Sequence, residues 1–244
     1  VQIVAVANSV IGVSSQVMNS TDAQLLWSEI LVNGPDSESF LQGQITQDLS
    51  SINASGSWTL LLQPDSSVIA ALTVRKLEDG FSLIVERQLA EISVARLRRF
   101  HLRVKCTIEI RDIDSGPFSS LSELITAGWI GSNECELSLT PQCYGSRIVG
   151  ESISFTKGCF TGQELVGRLD ARGSSVPWRL VRVTGPSLDR ISEAIMSKGP
   201  EGPKGITSSV VAEGATQALA IVHRTLLDSD VLSQFSDVHF EADF

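Results

Sequence analysis

Cysteine is scarce in this chain and never closely spaced. Cys106, Cys135, Cys143 and Cys159 are the four present, with no CxxC pair among them. That spacing argues against a secreted disulfide scaffold and for four thiols in a reducing compartment, so a cytoplasmic setting is expected. Histidine is scarcer still: His101, His223 and His239 stand apart from any cysteine or carboxylate spacing that ligates a metal, and no metal is expected. No GxSxG elbow, P-loop or GxGxxG stretch occurs, which leaves hydrolase, NTPase and dinucleotide readings without a starting residue. Repeats, low-complexity tracts and apolar runs of bilayer-crossing length are likewise missing. Positive charge is also short. A formal net charge of −9 repels phosphate backbones over most of the surface, so direct nucleic-acid binding is not expected and any anion site must be a local basic pocket.

What is present suits a globular chain. With 244 residues and 42% hydrophobic content it can bury one large core or several small ones. The opening Val1 to Val13 alternates like a strand, although Ala5-Val6-Ala7 imitates a leader cleavage site without the basic region a leader carries. Leu25 to Val32 reads as a strand. Gly34-Pro35-Asp36 then turns into a helix capped by Asp36 that runs out near Gly43-Gln44. Trp58 to Gln63, Val68 to Arg75 and Phe81 to Glu86 read as three strands joined by Pro64-Asp65-Ser66 and Glu78-Asp79-Gly80 turns. From Leu89 to Phe100 the apolar residues Leu89, Ile92, Leu97 and Phe100 recur at helical spacing, and Val104, Cys106, Ile108 and Ile110 alternate like a strand. Ser119 to Ala127 is expected as a helix, with short strands at Glu136 to Leu139 and Ser146 to Val149. Past Arg172-Gly173-Ser174-Ser175 the chain turns to β-like runs, Leu180 to Thr184, Ile206 to Val211 and Ala218 to His223, broken by a Gly/Pro-rich stretch from Lys198 to Gly205. The expected class is α+β, with a small terminal β-barrel.

The densest chemistry lies in Lys157-Gly158-Cys159-Phe160-Thr161-Gly162-Gln163-Glu164, which holds two glycines, a cation, a thiol and an apparent capping box. Thr161 with Glu164 three residues on predicts a helix from Gly162, running to about Ala171 and stopping at Gly173. Glu164, Arg168 and Arg172 then share one face. Cys159 precedes that helix by two residues, where the helix N-terminus and the Lys157 ammonium would both favour a thiolate. On local chemistry alone Cys159 reads equally as a buried small hydrophobe, and the glycines as an ordinary tight connection. Arg96, Arg98, Arg99, His101, Arg103 and Lys105 form a basic cluster, either a solvated helix face or a seat for carboxylates.

The octapeptide resembles the K-G-C-[YF]-x-G-Q-E signature of the YgfZ proteins, folate-binding relatives of the glycine-cleavage T-protein. Asp36 to Leu49 resembles that family's first helix and turn, and Gly205-Ile206-Thr207-Ser208 resembles its barrel strand. The resemblance implies a three-unit ring around a folate hole. Residues 1–48 and 113–174 would form the folate-binding domain, 49–112 a ferredoxin-like middle unit, and 175–244 the C-terminal β-barrel. It further implies tetrahydrofolate as ligand, with Cys159 and Lys157 as the chemical pair. Trp27, Tyr144, Arg147, Gly158, Gly162, Gln163, Glu164 and Arg168 would line the site. Trp27 alone also reads as an ordinary core tryptophan. Where the T-protein branch carries paired aspartates this chain has Ala70 and Ala71, which disfavours aminomethyl transfer.

The implied role is therefore support of iron–sulfur cluster assembly or repair by a monomer whose partners are folate and cluster proteins. No membrane contact is implied, and any effect on tRNA modification is indirect. The protein would not be a classical enzyme. The alternative is a tetrahydrofolate-dependent aminomethyltransferase using Glu164 or Asp170 as acid–base group. The chain is shorter than the family pattern between Gly150 and Lys157 and after Arg111. That keeps open a third reading, a module whose pocket has collapsed.

Overall fold

The computed structural model describes residues 22–52, 54–173, 176–197, 204–212 and 214–242. The strand expected from Val1 to Val13, and most of the Gly/Pro-rich stretch from Lys198, lie outside the described residues. The described residues divide into two compact units, one drawn from 25–119 and 130–176, the other from 22–24, 120–129 and 177–242. This division is one of compactness and does not test the three-part division that the resemblance implies.

The first unit is built on a five-stranded antiparallel sheet. Its strands are β1 (Trp27–Asn33), β2 (Ser57–Leu62), β3 (Val68–Lys76), β4 (Gly80–Glu86) and β5 (Thr107–Ile113), in the order β2-β3-β4-β1-β5. The β2-β3-β4 meander follows the alternation and turn residues of the sequence. β4 is buried along its whole length, whereas β5 is an edge strand with mostly exposed or half-buried residues. Helix α1 (Ser37–Gln42) follows β1, and α2 (Arg87–Arg98) follows β4 and buries Leu89, Ser93, Val94, Arg96 and Leu97.

Three local expectations are corrected here. The Asp36 side chain does not cap α1; its carboxylate accepts from the Lys105 backbone N–H at 2.8 Å. β5 begins at Thr107, so Val104 and Cys106 precede it in a turn where Arg103 takes a φ of 63°. The short strands expected near 136 and 146 are absent from that region. It holds instead α4 (Ser132–Cys135), a 3-10 turn at Pro141–Tyr144 and α5 (Ser146–Ser152). In α5 the buried residues Ile148, Val149 and Ser152 follow helical spacing, and that burial outweighs the strand preference of Ile and Val. Helix α6 (Gln163–Ala171) closes this unit.

In the second unit, α3 (Leu121–Ala127) is capped by Ser120, which accepts from Glu123 N–H, and is ended by Gly128 at a left-handed φ of 61°. It is followed by β6 (Trp178–Gly185), α7 (Leu188–Met196), β7 (Gly205–Ala212), β8 (Ala215–His223), α8 (Arg224–Leu227) and β9 (His239–Ala242). The strands pair antiparallel in the order β7-β8-β6-β9. A core of Val181, Val183, Ile191, Ala194, Ala218, Ala220, Val222 and Phe235 lies between this sheet and α7. The fold class is thus mixed α+β with two antiparallel sheets. Among the described residues no helix is long and apolar enough to cross a membrane.

Candidate functional site

The loop from Lys157 to Gly162 is tied inward at three points. Lys157 is buried to 8% exposure, and its Nζ donates to the carbonyls of Ile45 at 2.9 Å and Gln47 at 2.7 Å. Thr161 donates its backbone N–H at 3.0 Å and its hydroxyl at 3.4 Å to the Gly43 carbonyl. Ser66, itself at φ 72°, donates its hydroxyl to the Gly162 carbonyl at 2.6 Å. Three segments of the chain meet here: 43–47, the 64–67 turn and, about a hundred residues on, the cysteine loop. The first and last carry the family resemblance, and the turn leads into the strand bearing Ala70 and Ala71.

The glycines of the loop have different duties. Gly162 sits at φ +85°, and a Cβ there would lie 2.8 Å from the Gln63 carbonyl oxygen and 3.2 Å from Leu62 Cβ and Ser66 Cα. Only glycine fits both the backbone conformation and the space. A Cβ on Gly158 would meet nothing within 4 Å. Gly162 is also the N-cap of α6 with no side-chain cap, so the expected Thr161/Glu164 capping box does not form. Thr161 faces Gly43 instead, and Glu164 is ion-paired to Arg168 one turn on. Gln163 opens the helix, half-buried, with its N–H on the Phe160 carbonyl at 3.1 Å.

This geometry directs Cys159 outward. Cys159 is the exposed cysteine, while Cys135 and Cys143 are buried and Cys106 is intermediate, and all four are free. The reading of Cys159 as a buried small hydrophobe is therefore set aside. The Lys157 ammonium, expected beside the thiol, is turned to the two carbonyls and lies 5.5 Å from the centre of the Phe160 ring. Burial lowers its pKa to about 8, with Asp48 pulling the other way. Burial also drives the Cys135 thiol far up, with the neighbouring Glu134 carboxylate adding to it.

The two expected aromatic residues fill core positions. Trp27 is 4% exposed; its indole N–H donates to the Phe118 carbonyl at 2.8 Å, and Gly116 lies so close that a Cβ there would come within 2.2 Å of the ring. Tyr144 is buried, and its hydroxyl donates to the Glu134 carbonyl at 2.8 Å. Its turn is tied to α6 through Gln142 Nε2, which donates to the Val166 carbonyl at 3.0 Å. Arg147 lies on α5 and pairs with Glu151 at 2.9 Å. The structure thus gathers Lys157, Gly158, Cys159, Gly162, Gln163, Glu164 and Arg168 into one loop and helix, and Tyr144 is linked to them through Gln142. Trp27 packs separately. Ala70 and Ala71 are buried in β3, with no carboxylate at either position.

Arg96 belongs to the basic cluster expected either as a solvated helix face or as a seat for carboxylates, and the structure takes it off the solvated face. Arg96 is 2% exposed and bonds Leu62 and Gln44, each next to a residue the loop touches. The buried face of α2 includes Leu89, Ser93, Arg96 and Leu97, so of the expected apolar stripe Leu89, Ile92, Leu97 and Phe100 the structure exposes Ile92 and Phe100 and buries Arg96. Among the described residues, no group of histidine, cysteine and carboxylate side chains is placed to hold a metal ion.

No family model matches the chain. It is 24% identical to the tRNA-modifying protein YgfZ of Edwardsiella ictaluri, a match covering 61% of this chain and 66% of that protein. It is 27% identical to an uncharacterized protein of Haemophilus influenzae, covering 66% of this chain and 71% of that one. The matches thus span about two thirds of these relatives' lengths. Among solved structures, the aminomethyltransferase T of the glycine cleavage system from Bartonella henselae overlays with a TM-score of 0.48 at 13% identity, covering 84% of this chain and 78% of that one.

Proposed function

Because this chain is a distant relative of the YgfZ proteins, we propose that it is a tetrahydrofolate-binding protein of that type. In this reading it supports iron–sulfur cluster assembly or repair with Cys159 as the working thiol. Its influence on tRNA modification, the activity named for its relatives, then runs through cluster-dependent partners. Ring-like placement of the folate-binding, ferredoxin-like and barrel units belongs to the same reading.

The observation that carries it is the outward thiol of Cys159 on a loop pinned from inside by Lys157, Thr161 and Gly162. A reactive thiol needs access together with a fixed backbone, and the loop supplies both.

Folate fits the residues in part. Gly158 leaves open space beside Cys159, and Arg168 is half exposed on the adjoining helix, so a carboxylate-bearing ligand could be received there. The Trp27 ring is enclosed by Gly116 and Phe118, so stacking on a pterin requires the 116–118 segment to move. When bound, the reduced pterin supplies a carrier for one-carbon units. The chain's own residues position it and leave the thiol accessible. Aminomethyl transfer is disfavoured because Ala70 and Ala71 provide no carboxylate, while Glu164 is exposed and paired to Arg168.

Tetrahydrofolate titration followed by tryptophan fluorescence tests this reading. Saturable binding is expected in the wild type and in Cys159→Ser, with a loss of about two- to tenfold in Trp27→Ala, given the worth of a lost aromatic contact. Absence of saturation in the wild type would favour a collapsed pocket, and formaldehyde-equivalent transfer would favour the enzyme reading.

A further inference from the structure

We propose that Arg96 forms the floor of an oxyanion subsite that receives a carboxylate or phosphate of a small ligand beside the cysteine loop. The inference is independent of which ligand the protein carries, and it stands or falls separately from the folate reading.

Arg96 is a buried cation with no carboxylate among its bonding partners in the described residues. Its Nε donates to the Leu62 carbonyl and its Nη1 to the Gln44 side-chain oxygen, both at 3.0 Å. Its Nη2 is buried and has no hydrogen-bond partner among the described residues. Other arginines of the same unit hold acidic partners: Arg87 with Asp112, Arg111 with Glu29, Arg147 with Glu151 and Arg168 with Glu164. Withdrawing a guanidinium from water is unfavourable unless it is paired, and two neutral acceptors compensate only part of that. Arg99 adds like charge nearby instead of relieving it. A negative oxygen is the missing partner.

The guanidinium is planar, so its free nitrogen has a defined place. Nη2 lies between the N–H aimed at Leu62 and the N–H aimed at Gln44, and both edges of the fork are already oriented. Those two anchors are held by the cysteine loop. Gly43 next to Gln44 accepts from Thr161, and Gly162 packs on Leu62 and Gln63. An anion at Nη2 therefore shares a framework with Cys159. Phe100, just beyond the end of α2 and 43% exposed, has its ring 4.3 Å from the guanidinium, so the proposal requires that side chain to move aside for an anion to enter. On a chain of net charge −9, this cation and the exposed Arg98, Arg99, Arg103 and Lys105 make a local field that attracts anions.

Thermal unfolding and calorimetric titration with inorganic phosphate, and separately with glutarate, test the site at ionic strength held constant with sodium chloride. The wild type should bind one or both saturably, with Tm raised about 3–6 °C at ten times Kd. Arg96→Met should weaken binding at least about tenfold, and Arg99→Met less, as expected when the bond to the charged group is lost. Tighter binding of phosphate assigns a phosphorylated ligand, and tighter binding of glutarate a carboxylic acid. A sodium chloride control that reproduces the whole shift, or unchanged affinity in Arg96→Met, overturns the proposal. If Arg96→Met does not fold, the Arg96 Nε–H resonance of the wild type decides. It should move saturably with phosphate, and a static resonance refutes the site.

Discussion

Gly162→Ala is expected to lower stability by about 2–4 kcal/mol, roughly 4–16 °C in Tm for a chain of this size. Two costs add. An alanine at φ +85° carries left-handed backbone strain, and its Cβ would sit 2.8 Å from the Gln63 carbonyl oxygen, a backbone atom that cannot swing aside. The internal control is Gly158→Ala four residues earlier. With nothing within 4 Å of its Cβ, it should stay within about 0.5 kcal/mol of wild type. Thermal denaturation of the two variants side by side checks the account, and equal losses would show that the loop is not held at Gly162.

Lys157→Met is the second large effect. It leaves the Ile45 and Gln47 carbonyls without their donor, at about 1–3 kcal/mol for each group that cannot reach water. The pH dependence has a definite sign. The native ammonium titrates at about 8, whereas in the unfolded chain lysine titrates near its ordinary value of about 10.4. Between those values the unfolded state binds more protons, so this group's contribution to stability rises as pH increases through that window. Below pH 8 both states are charged and its contribution is flat. A neutral amine still has two N–H donors for the two carbonyls. Chemical denaturation at pH 7 and pH 10 should therefore show the gap between wild type and Lys157→Met widening. A gap that narrows would mean that the ammonium is stabilised in the fold.

The legibility of this molecule in its sequence follows from the range of each interaction. β2, β3 and β4 could be read because alternating apolar residues are punctuated by Pro64-Asp65-Ser66 and Glu78-Asp79-Gly80, all local signals. The end of α6 near Gly173 was legible for the same reason. α5 was misread because Ile148 and Val149 favour strands locally while the core they enter imposes helical spacing. The capping box was misread because Thr161 found a partner 118 positions away, which outcompetes a neighbour. Lys157 reaches carbonyls 112 and 110 positions distant, and no local pattern announces such a contact. α7 lay unread although Ser187 and the spacing of Ile191, Ala194 and Ile195 marked it. Two glycines, a cation and a thiol within eight residues did single the loop out, but the inward direction of its cation could come only from the fold.

The most direct measurement is time-resolved alkylation of the native protein by iodoacetamide, with each cysteine read by peptide mass spectrometry. A loop built to hold its backbone inward and its sulfur outward predicts that Cys159 is labelled first, while Cys135 and Cys143 react only as the chain unfolds. Labelling of Cys159 no faster than that of Cys135 would contradict it.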